Sequence, residues 1–226
     1  MFSWENWATL LADWRIFASG LGQTVLASVL SLLLALALGT VMGVLGTAPA
    51  GPFRRVSRVY VEFFRNTPLV TQLFFYYHGL PRVGINLPVL AVGVLGLGVY
   101  TGAFIAEIIR AGIQSIRKGQ LEAAYSQGFT YLQAMRYIVL PQTIQVVLPP
   151  LTNQFVNLIK NSSALSLIAG YDLMYQADTW SSYNLLYAVT YVTVALLYLS
   201  LTLPLAWLTR RLEVRVRRQW GGGVAA

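Results

Sequence analysis

Few residues of this 226-residue sequence could carry out chemistry. The Gly-x4-Gly-Lys-Ser/Thr pattern that cradles nucleotide phosphates is absent, because the two lysines are followed by Gly119 and Asn161. The sequence has one histidine, His78, and no cysteine, which excludes disulfides and thiolate metal sites. We therefore expect this chain to be no enzyme and to bind no metal or cofactor itself.

Two pairs of opposite charges have helical spacing. Glu62 and Arg65 are three residues apart, and so are Glu107 and Arg110. Residues three apart share one face of a helix, so each pair can neutralise itself. We expect both to be ion pairs that fix helix packing near a cytoplasmic gate, in preference to contacts with a solute.

A row of polar residues follows the two prolines at 149–150. The row consists of Asn153, Asn157, Lys160, Ser162 and Ser163. The prolines remove helical hydrogen bonds and predict an interrupted helix. Broken helices near the middle of the membrane often frame transporter sites. The row is therefore a candidate wall of a solute pathway.

Lys160 has no acidic residue within four positions. An ion pair with Asp172, Asp178 or Glu62 would satisfy it, and so would water or the carboxylate of a bound solute. The sequence leaves these alternatives open.

Long apolar runs must position these groups. With 56% hydrophobic and 11% charged residues, the chain is too apolar for an ordinary soluble domain. Four runs without charge exceed the ~20 residues that cross a bilayer, and a fifth forms if Glu62 and Arg65 are accepted inside it. The five predicted spans lie at about 16–45, 59–80, 85–109, 137–160 and 182–209. Unbroken runs exclude a barrel of short alternating strands, and we predict an all-α membrane protein.

The distribution of charge gives the orientation. The chain has a net charge of +8, and twelve of its sixteen basic residues fall in 54–58, 110–136 and 210–218. These segments follow the first, third and fifth spans. By the positive-inside rule the N-terminus lies outside and the C-terminus in the cytoplasm. The pattern argues against a nucleic-acid partner.

The longest cytoplasmic segment, 110–137, has no run that could cross a membrane. Its apolar residues recur at three- and four-residue steps, which predicts a helix over about 119–135 with a bend at Gly128. We expect a single transmembrane domain over 1–218 and a disordered tail over 219–226.

Residues 122–141 contain Glu122-Ala123-Ala124, then Gly128, then Ile138-x-Leu140-Pro141. This pattern resembles the EAA loop in the membrane subunits of bacterial type I ABC importers. Further stretches resemble the polar amino acid branch of that family: Phe-Arg-Asn-Thr-Pro at 64–68, Ala-Glu-x-x-Arg-Ala-Gly-Ile at 106–113, Gly-Gln at 119–120, Leu-Pro-Gln at 140–142 and Lys-Asn-Ser-Ser at 160–163. The resemblance covers roughly residues 15–218.

The resemblance implies a five-span permease whose EAA segment is a coupling helix. The residues that would dock it into a cleft of the ATPase are Gly119, Glu122, Ala123, Ala124 and Gly128. Glu122 would contact the ATPase, Arg117 or Arg136.

The implied partners are two cytoplasmic ATPase subunits that bind ATP and Mg²⁺, a second permease subunit (identical or a paralogue) and an extracytoplasmic amino-acid-binding protein. The location would be the bacterial cytoplasmic (inner) membrane. The stretch at 160–163 resembles family members assigned to glutamate, aspartate or glutamine, and this resemblance favours acidic or amide amino acids as substrates.

Two other classes of function fit less well. A secondary transporter or channel predicts inverted repeats and acids at the middle of the membrane, and we find neither. It would also leave 119–141 unexplained. An intramembrane enzyme lacks a nucleophile–base pair.

Overall fold

The computed structural model describes residues 2–49, 51–116 and 118–220, and these form helices. The α-helices are α1 Trp4–Ala12, α2 Trp14–Leu45, α3 Gly51–Asn66, α4 Leu69–Phe74, α5 Val89–Ser115, α6 Lys118–Ser126, α7 Tyr131–Ala134, α8 Leu140–Asn161, α9 Leu173–Asn184 and α10 Tyr187–Trp220. Shorter π- or 3₁₀-helical turns are Phe75–Gly79, Leu80–Val83, Met135–Val139 and Ser162–Ile168. The predicted disordered tail begins inside α10, and its Gly221-Gly222-Gly223 lies outside the described residues.

In the part of the chain that the structure describes, three helices are long and apolar enough to cross a membrane. They are Trp14–Leu45, Val89–Ser115 and Tyr187–Arg215. They coincide with the first, third and fifth predicted spans. Helix length and composition alone therefore do not identify the second and fourth predicted spans as membrane-crossing.

The close approach of α2 and α5 forms the centre of the fold. A Cβ atom on Gly39 would lie 2.5 Å from Ile105 Cγ2, and one on Gly43 would lie 2.8 Å from the carbonyl oxygen of Ala106. No side chain fits in so narrow a space. Small residues allow helices to approach in this way where water supplies no driving force between them.

α3 is fastened to this pair by two hydrogen bonds. Ser57 Oγ donates to the carbonyl oxygen of Met42 on α2 at 2.7 Å. Tyr60 donates its hydroxyl to the carbonyl oxygen of Val99 on α5 at 2.8 Å. These bonds set which face of α3 looks inward.

The second predicted span is two helical segments. α3 ends at Asn66, and the extended backbone of Pro68 begins α4. The buried side chain of Gln72 closes the gap, because its Nε2 donates to the carbonyl oxygens of Phe64 and Thr67 at 3.1 and 3.2 Å. A break beside a proline is expected, since the residue before it disfavours helix.

The prolines at 149–150 do not interrupt α8, which is continuous from Leu140 to Asn161. The sequence prediction of an interruption at this point is corrected. The side chain of Thr152 bonds to the backbone of the helix here, because its Oγ1 donates to the carbonyl oxygen of Pro149 at 2.7 Å. Helices in membrane proteins tolerate proline where side-chain hydroxyls and neighbouring helices satisfy the backbone.

The region between the fourth and fifth predicted spans is largely helical, and it packs against the start of the chain. Trp180 on α9 donates its indole N–H to Asp13 Oδ2 at 2.8 Å, and its ring meets Phe17 edge-on at 5.5 Å. Leu10, Phe17 and Leu173 are almost fully buried in this contact.

Asp172, immediately before α9, is fully buried. Its Oδ2 accepts the backbone N–H of Met174 at 3.0 Å, while Oδ1 has no partner among the described residues. Burial raises the pKa of the Asp172 carboxyl from the usual 3.8 to about 6. A buried, partly satisfied carboxylate is costly to ionise.

Replacing Asp172 with Asn should remove this cost. The folded protein holds a proton that the unfolded chain releases between pH 4 and 6, so the free energy of unfolding falls as the pH rises through about that range. We expect Asp172→Asn to flatten that dependence and to raise stability at pH 7 by up to ~3 kcal/mol. Thermal unfolding in mild detergent across this pH range measures both effects.

The matched control is Asp178→Asn, an exposed position on the same helix. It should keep the wild-type pH dependence. Parallel melting-temperature curves for wild type and Asp172→Asn would contradict the prediction.

Candidate functional site

A cavity of about 860 Å³ lies between α2, α3, α5 and the segment 121–135. Its charged lining residues are Arg54, Arg58, Glu62, Arg65, Glu107 and Arg110. All four residues predicted as ion-pair partners therefore meet in one cavity. Thr47, Gln114 and Tyr131 add polar groups.

Glu107 is the ionic centre of the cavity. Arg110 donates from Nε to Glu107 Oε2 at 3.0 Å and from Nη2 to Oε1 at 2.5 Å. Arg65 Nη1 reaches the same carboxylate at 3.9 Å from α3. Two parallel bonds from one guanidinium give the stronger of these contacts. The predicted pair Glu107–Arg110 is formed.

The predicted pair Glu62–Arg65 is wrong, because Arg65 turns towards α5. There its guanidinium lies 5.2 Å from the centre of the Phe104 ring and contacts Glu107. The ring of Phe104 and the carboxylate of Glu107 thus take the place of Glu62 as partners of the Arg65 guanidinium.

Three charges of the cavity have no ion-pair partner within 4.0 Å among the residues that the structure describes. They are Arg54, Arg58 and Glu62, and all are exposed. The cavity thus offers two free guanidinium groups and one free carboxylate. Such a set can meet a solute that carries more negative than positive charge.

The EAA segment forms a helix and a sharp turn. Gly128 has φ +82°, a conformation that residues with a side chain rarely adopt. Its N–H and that of Phe129 bond back to Tyr125 and Ala124 and end α6. The predicted bend at Gly128 is confirmed. The structure gives the helix predicted over 119–135 as α6, α7 and the turn Met135–Val139.

The side chains of α6 are divided between two surroundings. Ala124 is 1% exposed, whereas Gly119, Glu122 and Ala123 are exposed. The chain therefore buries one edge of α6 and presents the other to the outside.

The inner edge of this segment reaches the cavity. Leu121, Tyr131 and Met135 line it, and the Tyr131 hydroxyl donates to the carbonyl oxygen of Thr47 at 3.5 Å. Met135 also packs in the buried cluster that contains Ile109 on α5. Movement of α6 and α7 would thus be transmitted to the cavity wall.

Glu122 has no salt bridge among the described residues. Arg136, one partner expected from the sequence, instead lies 5.8 Å from the centre of the Tyr137 ring. The other, Arg117, lies outside the described residues. The exposed Glu122 carboxylate is available to a partner.

The row on α8 lies away from both cavities of the described chain. Asn153 and Lys160 are exposed, Asn157 is half-buried, and no carboxylate of the described residues lies within 4.0 Å of Lys160. The serines bond to backbone within their own helical turn: Ser162 donates to Ile159 and Ser163 to Lys160.

Arg54 and Arg58 were not predicted from the sequence as cavity residues, because their charge indicated only the orientation of the chain. Their four-residue spacing continues to Glu62 and places all three on one face of α3. That spacing could have identified them.

Comparison with known proteins gives the family. Residues 35–218 match the binding-protein-dependent transport system inner membrane component family. The chain is 47% identical over 215 residues to a probable glutamine ABC transporter permease, GlnM of Bacillus subtilis, covering 95% of this chain and all of that protein. It is 32% identical to the glutamate/aspartate import permease GltJ of Escherichia coli K12, covering 90% of this chain and 89% of GltJ.

Solved structures agree. A crystal structure of an amino acid ABC transporter with histidines matches with a TM-score of 0.85 and 36% identity over 92% of this chain and 97% of that one. The MetNI methionine transporter shares the fold, with a TM-score of 0.76 at 20% identity over 91% of this chain and 98% of that one. The protein belongs to the family of binding-protein-dependent inner membrane components and is an amino acid ABC transporter permease.

Glu107→Gln should destabilise the permease, because two arginines then lose their carboxylate. We expect a loss of about 1–2 kcal/mol, seen as a lower melting temperature by tryptophan fluorescence. Glu62→Gln is the matched control on the same cavity and should change stability by less than ~0.5 kcal/mol. Equal losses in the two variants would show that Glu107 is not the ionic centre.

Proposed function

We propose that this chain is the permease subunit of an ATP-driven importer of polar amino acids and couples to a separate ATPase through α6 and α7. The observation that carries the proposal is the two-sidedness of this segment. Glu122 and Ala123 face outwards, where a partner can bind, while Leu121, Tyr131 and Met135 line the cavity. One short rigid element thus touches both the partner surface and the solute space.

The assembly contains a second permease subunit, identical or a paralogue, and two cytoplasmic subunits that bind ATP and Mg²⁺. An extracytoplasmic binding protein delivers the amino acid. The open sides of the cavity and the exposed Asn153 and Lys160 on α8 favour a pathway completed by a second subunit. The names of the relatives, which are ABC transporter and import permeases, point the same way.

The chain crosses the bacterial inner membrane five times, with the N-terminus outside. α2, α5 and α10 provide three spans. The second span, at about 59–80, consists of the later part of α3, α4 and the turn Phe75–Gly79, and the fourth, at about 137–160, consists of the end of the turn Met135–Val139 and α8. The basic segments after alternate spans support this orientation.

Coupling is mechanical in this scheme. ATP binding closes the two ATPases and draws the docked α6 helices together. Met135 and its buried neighbours Ile109 and Ile113 then carry the displacement into α5 and α8. Such packed elements shift between discrete arrangements, and hydrolysis restores the first one.

The substrate is an acidic or amide amino acid. Two free arginines and one free glutamate complement a solute with two carboxylates and one ammonium, and an amide analogue keeps two of those three contacts. The glutamine and glutamate/aspartate names of the relatives support the same choice.

The row of Asn153, Asn157, Lys160, Ser162 and Ser163, on α8 and the turn that follows it, borders the pathway, and Lys160 attracts the substrate carboxylate. We expect Lys160→Met to raise the apparent KM for glutamate uptake by about tenfold, the value of one charge-assisted hydrogen bond. Arg82→Met removes an exposed cation outside both cavities and should change nothing. An unchanged KM in Lys160→Met would remove Lys160 from the substrate path.

Gly128→Asp should uncouple transport from hydrolysis. A side chain strains the turn at φ +82° and displaces α6 from the ATPase, while the spans insert as before. Uptake should fall at least tenfold in membranes that hold normal amounts of the permease, as measured with labelled amino acid and immunoblotting.

Gly84→Asp supplies a matched control, since Gly84 has φ +84° and also open space around its Cα. It lies in the loop before α5, far along the chain from α6. Normal uptake in Gly128→Asp, or an equal defect in Gly84→Asp, would contradict coupling through α6.

A further inference from the structure

A second groove, of about 770 Å³, runs along the opposite face of α3 from the charged cavity. Arg55, Val56, Val59, Tyr60, Phe63 and Phe64 line it. Val59 is 62% exposed and Phe63 58%, so the chain itself leaves the groove uncovered. The Tyr60 hydroxyl bonds to Val99, which leaves the aromatic ring as its contribution to the groove.

The cation among the lining residues of this groove is Arg55, at its N-terminal end. Arg54 and Arg58 lie on the other face of α3, where they line the charged cavity. Arg55 is exposed and lacks an ion-pair partner within 4.0 Å among the described residues. The positive end of the helix dipole adds to the field of Arg55.

The length of the groove matches one leaflet of a bilayer. Arg55 and Phe63 are eight residues apart, which is about 12 Å along a helix. Half of a hydrocarbon core is about 15 Å. A cationic end followed by an apolar trough of this length is complementary to one anionic headgroup with one acyl chain.

We propose that the groove on α3 binds an anionic phospholipid of the cytoplasmic leaflet. The Arg55 guanidinium holds the phosphate, and an acyl chain lies along Val59 and Phe63. Anionic lipids are concentrated in that leaflet and attract basic segments beside spans. The inference uses the orientation given above but does not depend on coupling to an ATPase.

A second copy of the chain is the competing occupant. A two-fold contact centred on this face would set Arg55 of one copy against Arg55 of the other. Such like-charge contact without a carboxylate in the groove is unfavourable. The charge therefore favours a lipid phosphate over a second permease.

The test measures lipid binding to the purified transporter in mild detergent by the shift of its melting temperature. Phosphatidylglycerol should stabilise the wild type in a saturable manner, whereas phosphatidylcholine of the same chains and inorganic phosphate should not. Arg55→Gln should weaken phosphatidylglycerol binding about tenfold, as expected for loss of one charge-assisted contact. Arg82→Gln, a cation outside the groove, should bind as the wild type does.

A second variant separates the lipid from the second copy. Because the chain has no cysteine, Phe63→Cys places a single thiol in the groove. Phosphatidylglycerol should protect this thiol from a maleimide reagent, and mild oxidation should not produce a disulfide-linked dimer. A dimer, equal binding of phosphatidylcholine, or unchanged affinity in Arg55→Gln would each overturn the proposal.

Discussion

The close packing of α2 against α5 is the constraint on which the other features depend. Gly39 and Gly43 leave no space for a side chain at the contact, so the two helices have one register. α3 then bonds to both helices through Ser57 and Tyr60. This arrangement brings Arg65 of α3 beside Glu107 of α5. A change in the α2–α5 register would therefore move the ionic centre of the cavity.

The cavity connects this rigid centre with the EAA segment. Glu107 and Arg110 lie near the end of α5, and Leu121, Tyr131 and Met135 complete the wall. Ion pairs of this kind fix geometry more than they add stability, since desolvation offsets much of the attraction. In the proposed coupling, this wall moves as a unit with α6. The same helix α3 presents free charge to the cavity and an apolar groove to its surroundings.

Local features could be predicted from the sequence. The three-residue spacing of Glu107 and Arg110 and the glycine at the bend both depend on a few neighbouring residues. The partner of Arg65 could not be predicted from the sequence, because the identity of this partner depends on how α3 crosses α5. The burial of α9 could not be predicted either, since its sequence is mixed in polarity and the burial comes from Trp180 contacting Asp13 and Phe17. The continuity of α8 through two prolines likewise depends on its surroundings. The general tendency of proline to kink or break a helix does not take those surroundings into account.

The central claim is that the outer edge of α6 contacts a separate ATPase. The absence of cysteine permits a direct measurement with Ala123→Cys, an exposed position, and a thiol-specific photo-crosslinker on the assembled transporter. The reference is Tyr183→Cys on α9, where Tyr183 is 86% exposed. In the proposed orientation α9 lies on the external side of the membrane. We expect Ala123→Cys to cross-link to the ATPase subunit and Tyr183→Cys not to do so. An ATPase adduct at Tyr183→Cys with none at Ala123→Cys would contradict the claim that α6 contacts the ATPase.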